Sequence, residues 1–568
     1  MVDEIPTPPC APLRPPSVVM RLDRLGAFHQ TRLSFMRALL RRLKAEQWEF
    51  ERPRWEISDA GVGTAVYRAR GPKRSYSIVC FAHDLDPSLR TDRVIAEAWD
   101  ATFALYDGTP SVSELVRLQA NVPLQEAGRF RASELTLSRA NRSVRLFEHV
   151  VDALASGHQP DPVTLKSVGY LMRTTAVYGN GKFGIADRER FADRPEFAGP
   201  FRAEMLTVWL IRAFTVDLAE HLAAARAPAT AVPLDPAIRR SLGVGNATGL
   251  GLGPFIANHP ALFGRWIAAR ETALGRVRAV SAATPATAEK FRDALEGART
   301  MAASWRVDDA RQTKRIAGLE SDLRALSEKL AGGALDKSDP WDALYRWGED
   351  NLSLEGQELL VSLLIEPHGA LVDDLADEMA VDEAALFRID AAQSVGETIA
   401  AVEELFDWAL SIDFGAPASQ ARFWYVSEEK LEPRLGERAS EPGSELEQPL
   451  TVARDIAALY AALKDADPDD TLADFLLGRP EQRRAVRRVQ IAKRYPYSEI
   501  HDNLLDADMV PLDLLRCKLS FFGATRFDPK SDRWLRINMY QYAPYPNELA
   551  SCRRDDWVYP LQRDLVTA

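Results

Sequence analysis

Apolar positions between residues 18 and 55 recur mostly at three- and four-residue steps (Leu25, Phe28, Leu33, Met36, Leu39, Leu40, Leu43), which predicts helix across that stretch. The period then drops to two. Gly63–Arg70 and Ser75–His83 are rich in β-forming residues and flank the turn Gly71-Pro72-Lys73-Arg74, so they predict a hairpin. A third strand is expected at Trp99–Tyr106. From Ser111 to Val280 helical spacing dominates. Within it Phe201–Ala225 is apolar almost all round, the pattern of a helix buried on most faces at the centre of a domain.

Thr284-Pro285 is a helix start, with Thr as cap and Pro at the first helical position. One heptad register follows: Phe291, Leu295, Ala298, Ala302, Trp305, Asp309, Gln312, Ile316, Leu319, Leu323, Leu326, Leu330, polar only at Asp309 and Gln312. About forty helical residues span about 60 Å, more than one small domain covers. The expectation is either an antiparallel hairpin broken near Asp308-Asp309 or an arm that makes a homodimer through residues 291–330. Gly332-Gly333 ends it.

Residues 340–415 are helical and acidic, and Ser427–Pro449 carries seven glutamates, three prolines and two glycines, as a linker would. Helices are expected again at Val452–Lys464 and Thr471–Arg494, then a closing hairpin of Lys518–Phe527 and Arg533–Ala543. The fold class predicted is mainly α with small antiparallel β hairpins (α+β): a multi-helix domain plus a long heptad-patterned arm. Its divisions are a Pro-rich extended or disordered tail (1–17), an α+β region (18–135), a helical core (136–282), the arm (284–333), an acidic helical region (340–415), a linker (416–450) and a C-terminal region (451–568).

Composition narrows the function. The 568 residues are 46% hydrophobic and 27% charged, ordinary for a globular chain. A net charge of −11 disfavours nucleic-acid binding. Thirteen lysines against 58 arginines point to a GC-rich coding sequence rather than to phosphate chemistry. Four cysteines, Cys10, Cys80, Cys517 and Cys552, make no disulfide framework, and the N-terminus lacks an apolar export segment. Charges interrupt 201–225, so no bilayer span is expected. A soluble cytoplasmic protein that binds neither membrane nor nucleic acid follows as the expectation.

Three constellations could carry chemistry. In Arg173-Thr174-Thr175-Ala176-Val177-Tyr178-Gly179-Asn180-Gly181-Lys182-Phe183-Gly184, glycines imply an irregular backbone that offers N–H groups to an anion. Lys182 and Tyr178 are the candidate proton-transfer groups and Arg173 the clamp, with Thr174 and Asn180 as substrate contacts. The bland alternative is a glycine-capped helix end. Gly243-Val244-Gly245-Asn246-Ala247-Thr248-Gly249-Leu250-Gly251-Leu252-Gly253 contains GxG, but no β-branched strand precedes it and no acidic residue follows in the dinucleotide position. It reads as a turn feeding a helix whose amino end could take an anion, with Asn246, Thr248 and His259 nearby, or as glycine packing between helices. In the last strand Asn538, Tyr540 and Tyr542 share one face, lining either a polar pocket or a solvent edge. A basic stripe (Arg479, Arg483, Arg484, Arg487, Arg488, Lys493, Arg494) is expected to pair with acidic segments of the chain. No histidine pair has metal-ligand spacing, so no metal site is expected, and no motif names a cofactor.

These residues suggest an enzyme acting on a small anionic metabolite by proton transfer of the lyase or isomerase type. The competing readings are a non-catalytic coiled-coil scaffold and a redox enzyme whose cofactor no linear motif announces.

Overall fold

The computed structural model describes residues 8–89, 98–124, 131–178, 194–197, 201–248, 260–305, 310–379, 387–413, 452–500, 511–523, 528–529, 535–552, 555 and 557–561. Strands β1 (Glu49–Ile57), β2 (Gly63–Arg70), β3 (Ser75–Ala82), β4 (Ala101–Asp107), β5 (Glu134–Arg142), β6 (Tyr170–Tyr178), β7 (Gly243–Thr248), β8 (Asp528–Pro529) and β9 (Leu535–Met539) form one sheet. Their order is β1-β2-β3-β4-β5-β6-β7-β9-β8. Only β6 and β7 run parallel. The N-terminal hairpin and the C-terminal strand therefore share a sheet although about 450 residues separate them in sequence.

Around it lie helices α1 (Phe35–Ala45), α2 (Val112–Asn121), α3 (Arg202–Arg226), α4 (Pro260–Arg278), α5 (Pro285–Ser304), α6 (Ala310–Ala331), α7 (Leu354–Ile365), α8 (Arg483–Arg494) and α9 (Pro511–Phe522), among others. Helix α3 packs on one face of the sheet and is buried on nearly every side, as its all-round apolar sequence requires. The other face carries a smaller cluster in which Val66, Val79, Phe81, Ala104 and Leu137 meet Leu115 and Leu118 of α2. Along β2 the alternation is direct: Ala65, Tyr67 and Ala69 face the main core, Val66 the small one. No helix among the described residues is long and apolar enough to cross a membrane.

Several expectations change. The stretch 18–55 is not one helix: α1 covers only Phe35–Ala45, and Glu49–Ile57 is strand β1. Gln47, with φ 56°, turns the chain between them. The region 111–280 holds three strands as well as helices. Strand β5 is buried on both faces at eight of its nine positions, so it has no polar face and no period of two to read. Residues 8–17 are not a loose tail. The backbone N–H of Ala11 donates to Gly275 O at 2.9 Å, and Arg14 is buried against Glu271 and Glu358.

The long heptad run is two helices that pack on each other, α5 and α6. Helix α5 begins with Thr284 capping Thr287 N and ends where Trp305 turns extended. Asp308 and Asp309 lie outside the described residues. Leu319, Leu323 and Leu326 are buried within the chain itself, so the heptad seam is part of the monomer's core and no projecting arm is present among the described residues. Thr471–Arg494 is likewise split, at Gly478-Arg479-Pro480, into Leu472–Gly478 and α8. The closing hairpin is replaced: Lys518 belongs to α9, and β9 pairs with β7 and the two-residue β8. The segment 416–450 lies outside the described residues.

Candidate functional site

Among the described residues a cavity of about 740 Å³ combines charge with apolar wall. Helix α1 supplies most of its cations. The helix is amphipathic: Phe35, Met36, Leu39, Leu40 and Leu43 are buried, while Arg41, Arg42 and Lys44 project from the other side. Arg202, the first residue of α3, stands opposite. Asp373, Ala376 and Asp377 form a third side, and Pro544, Leu549, Cys552, Asp555 and Trp557 of the C-terminal segment close it.

That segment is held by α3. Arg212, fully buried, donates to the carbonyl oxygens of Leu242 and Ala543 at 2.7 Å and of Arg240 at 3.0 Å, with its guanidinium 3.9 Å from the Tyr545 ring centre. Trp209 Nε1 donates to Pro544 O at 2.9 Å. Three non-glycine residues near the cavity adopt left-handed backbone: Phe201 (φ 60°), Tyr540 (φ 60°) and Tyr542 (φ 66°). Such conformations cost on the order of 1–3 kcal/mol each and persist where surrounding contacts impose them.

The cavity's charges fall into two groups. On one side Arg32 grips Asp373 through both oxygens (2.9 and 2.6 Å), and Arg41 meets Asp555 at 3.1 Å. Burial opposes ionisation of Asp555, yet Arg37, Arg41 and Arg32 hold its carboxyl below the ordinary range. On the other side matching is poor. Arg42 pairs with Glu46 at 2.6 Å, whereas Arg202 reaches only the exposed Asp377, at 3.4 Å. Arg202 Nη1 is buried without a hydrogen-bond partner, although the side chain is only 10% exposed. Burial, reinforced by the positive charge of Arg42, pushes the Arg202 guanidinium down to about 10. Among the described residues five cationic and four carboxylate side chains line the cavity, a local excess of positive charge on a chain of net −11.

Of the residues singled out from sequence, Asn180, Lys182 and His259 lie outside the described residues. Tyr178, Asn246 and Thr248 are placed by backbone only, Tyr178 closing β6 and the other two in β7. Residues 243–248 of the glycine-rich stretch are thus a strand rather than a turn, and 249–253 lie outside the described residues. The strand's glycines serve approach: a Cβ on Gly245 would lie 2.7 Å from the Tyr170 ring, and one on Gly243 2.6 Å from Met539 O. Arg173 stands beside Gly245, which stands beside Asn538, so the three constellations meet as adjacent strands. Because β6 and β7 are parallel, Tyr178 and Thr248 also end at the same edge of the sheet.

The side chains there are closed in. Arg173 and Thr174 are buried, and Asn538 donates to Val168 O at 3.4 Å. Tyr540 does not continue a strand face with Asn538 and Tyr542, because β9 stops at Met539 and both tyrosines turn left-handed. The Tyr540 hydroxyl donates to Met205 O at 3.0 Å and burial pushes its phenol well up, which makes it a structural group. It nonetheless touches the cavity indirectly, its ring stacked on Trp557 at 6.2 Å. Tyr542 is half-buried and anchored through its backbone N–H to Arg240 O at 2.7 Å.

Sequence reasoning passed over the cavity's own residues because they come from four distant segments, none with a motif. The one local signal was Arg41-Arg42 and Lys44 on the polar side of an apolar-periodic helix. The basic stripe on α8 is partly engaged: Arg488 pairs with Glu499 at 2.6 Å and Arg487 donates to Phe387 O at 3.4 Å. No group of three or more metal-ligating side chains forms among the described residues. No protein-family model, curated protein or solved structure matches the chain.

Proposed function

We propose that the protein binds a small organic anion in the cavity between α1, the first residue of α3 and the C-terminal segment, and acts on it as an enzyme. The observation that carries this reading is Arg202: a charged side chain, nine-tenths buried, with one guanidinium nitrogen unpartnered and, among the described residues, exposed Asp377 at 3.4 Å as the one carboxylate within ion-pair reach. A buried cation short of counter-charge is stabilised by an anionic guest. The apolar wall of Ala38, Leu40, Ala376, Pro544 and Leu549 suits a guest with a hydrocarbon or aromatic body. The small anionic substrate expected from sequence is kept, and its place moves from the glycine-rich stretches to this cavity. Proton transfer of the lyase or isomerase type would fall to Glu46, Asp377 or Cys552, which line the cavity.

Titration calorimetry tests the binding. Phenyl phosphate and benzoate are expected to bind wild-type protein, and benzyl alcohol is not. Arg202→Gln should weaken the anions about tenfold, about 1.4 kcal/mol. Equal affinity in the variant, or no binding of either anion to the wild type, overturns the reading.

A further inference from the structure

Away from the cavity, toward the opposite end of α3 from Arg202, we propose that Trp55 and His221 form a pH-sensitive clasp that holds the β1–β2 turn on α3 while His221 is neutral and releases it when His221 is protonated. Strand β1 is an edge strand, paired with β2 alone among the described residues. The turn that joins the two rests on α3: a Cβ on Gly61 would lie 3.0 Å from Leu222 and 3.0 Å from the Arg142 guanidinium. Trp55 Nε1 donates to His221 Nδ1 at 3.3 Å, and His221 Nε2 donates to Ser58 O at 3.0 Å. An indole N–H can only donate, and a carbonyl oxygen can only accept. The two bonds therefore admit one form of the ring, neutral, with its hydrogen on Nε2. A proton added at Nδ1 sets two N–H donors against each other and strips the half-buried indole of its acceptor.

The surroundings offer an imidazolium little compensation. Asp217, one turn before His221 on α3, accepts from Tyr67 of β2 at 2.7 Å and pairs with Arg52 at 2.8 Å and Arg239 at 3.5 Å. Glu220 accepts from Leu234 N at 3.0 Å. Arg52 also stands 4.5 Å from the Trp55 ring centre, and Arg142 of β5 adds a second cation at the turn. Glu56 of β1 pairs with Arg54 at 2.5 Å, and Glu148 and Asp152 of the helix Phe147–Ala155 pair with Arg226 at 2.6 and 2.7 Å. Asp59, in the turn itself, is exposed to water. What the clasp covers is apolar. The Trp55 ring centre lies 6.1 Å from that of Phe214, and Phe214 and Leu222 are both buried. Release uncovers them, so acid turns a closed edge of the sheet into an apolar surface.

Hydrogen exchange read by mass spectrometry on the full-length protein tests the clasp at about pH 8 and about pH 5, the interval across which histidine gains its charge. Rates are corrected for intrinsic exchange at each pH, and β3 and β4 serve as internal reference. Protection of residues 55–62 relative to that reference is expected to fall on the order of tenfold at the lower pH. His221→Gln carries an amide that can accept from Trp55 and donate to Ser58 O without titrating, so it should hold the turn equally at both pH values. Trp55→Phe removes the donor that a protonated ring would oppose, and should also lose the pH effect. Equal protection of the wild-type turn at both pH values overturns the proposal, as does a fall of wild-type size in either variant.

Discussion

Two sets of arginines, one in the core and one at the cavity, use the same side chain to opposite ends. In the core Arg14, Arg24 and Arg270 converge on Glu358, each at 2.6 Å, and Arg14 and Arg270 share Glu271 at 2.7 and 2.9 Å. Beside them Arg516 and His29 both bind Glu355. Burial opposes the charge on Glu355, but Arg516 and His29 hold its carboxyl down to about 2. There the carboxylates are saturated with donors. At the cavity Arg202 pairs with exposed Asp377 at 3.4 Å, with Glu46 acting only from further off, and its charged form is disfavoured. The core network ties the N-terminal segment to α4 and α7, while the cavity's imbalance leaves room for a ligand's charge.

The largest effect should follow from removing a carboxylate from the saturated set. Glu358→Gln keeps the shape but leaves Arg14 and Arg270 to share Glu271 and takes from Arg24 the carboxylate it pairs with. A loss of about 3–5 kcal/mol is expected in urea unfolding. A loss below about 1 kcal/mol would mean that the core charges are as loosely held as those of the cavity.

Acid should separate the two sets next. Glu355 has a folded value below its ordinary 4.5, so its contribution is complete above that pH and fades as the pH falls toward about 2. Buried His368 is displaced the same way for a different reason: burial, then Lys290, pushes its imidazole from 6.5 down to about 4. The unfolded chain binds that proton first, so stability falls as the pH drops from about 6.5 through about 4. Unfolding midpoints measured across pH should therefore decline in an upper and a lower phase. His368→Gln should reduce the upper phase, to which His29, also displaced downward by burial, contributes, with the lower one retained. An unchanged profile in that variant would remove His368 as its source.

How much of this was legible follows from where each signal is stored. The hairpin β2–β3, the cap at Thr284, and the buried helix α3 are local patterns, and the sequence carried them directly. Strands β5, β6 and β7 were hidden: β5 lacks a polar face, and Gly243-Val244-Gly245 resembles a turn when the close approach of Tyr170 and Met539 is not visible. The heptad run leaves two neighbours open, its own second half across a break or a second copy of the chain, since periodicity says which face is buried and not what buries it; the structure shows the former, α5 packed on α6, and not the arm. The candidate site was harder still. Arg202 looked like one of several interruptions in an apolar helix, and only the fold brings it opposite Arg42 and Lys44. Cys552 carries no signal of its own in the sequence, being one of four cysteines too few for a disulfide framework.

The sharpest version of the comparison is a single substitution with two opposed readouts. A cation whose charged form is disfavoured by its surroundings lowers stability at neutral pH, and the folded state gains as the pH rises through about 10. Replacing it by a neutral side chain of similar length should therefore stabilise the empty protein, where the same change at Arg270 or Arg516 would strand a buried carboxylate. Arg202→Gln is expected to raise unfolding stability by about 1 kcal/mol while anion affinity falls. A gain in one quantity with a loss in the other is what a residue kept for a ligand should give. If Arg202→Gln instead destabilises the chain and leaves phenyl phosphate affinity intact, Arg202 belongs with the core arginines and the contrast between the two sets disappears.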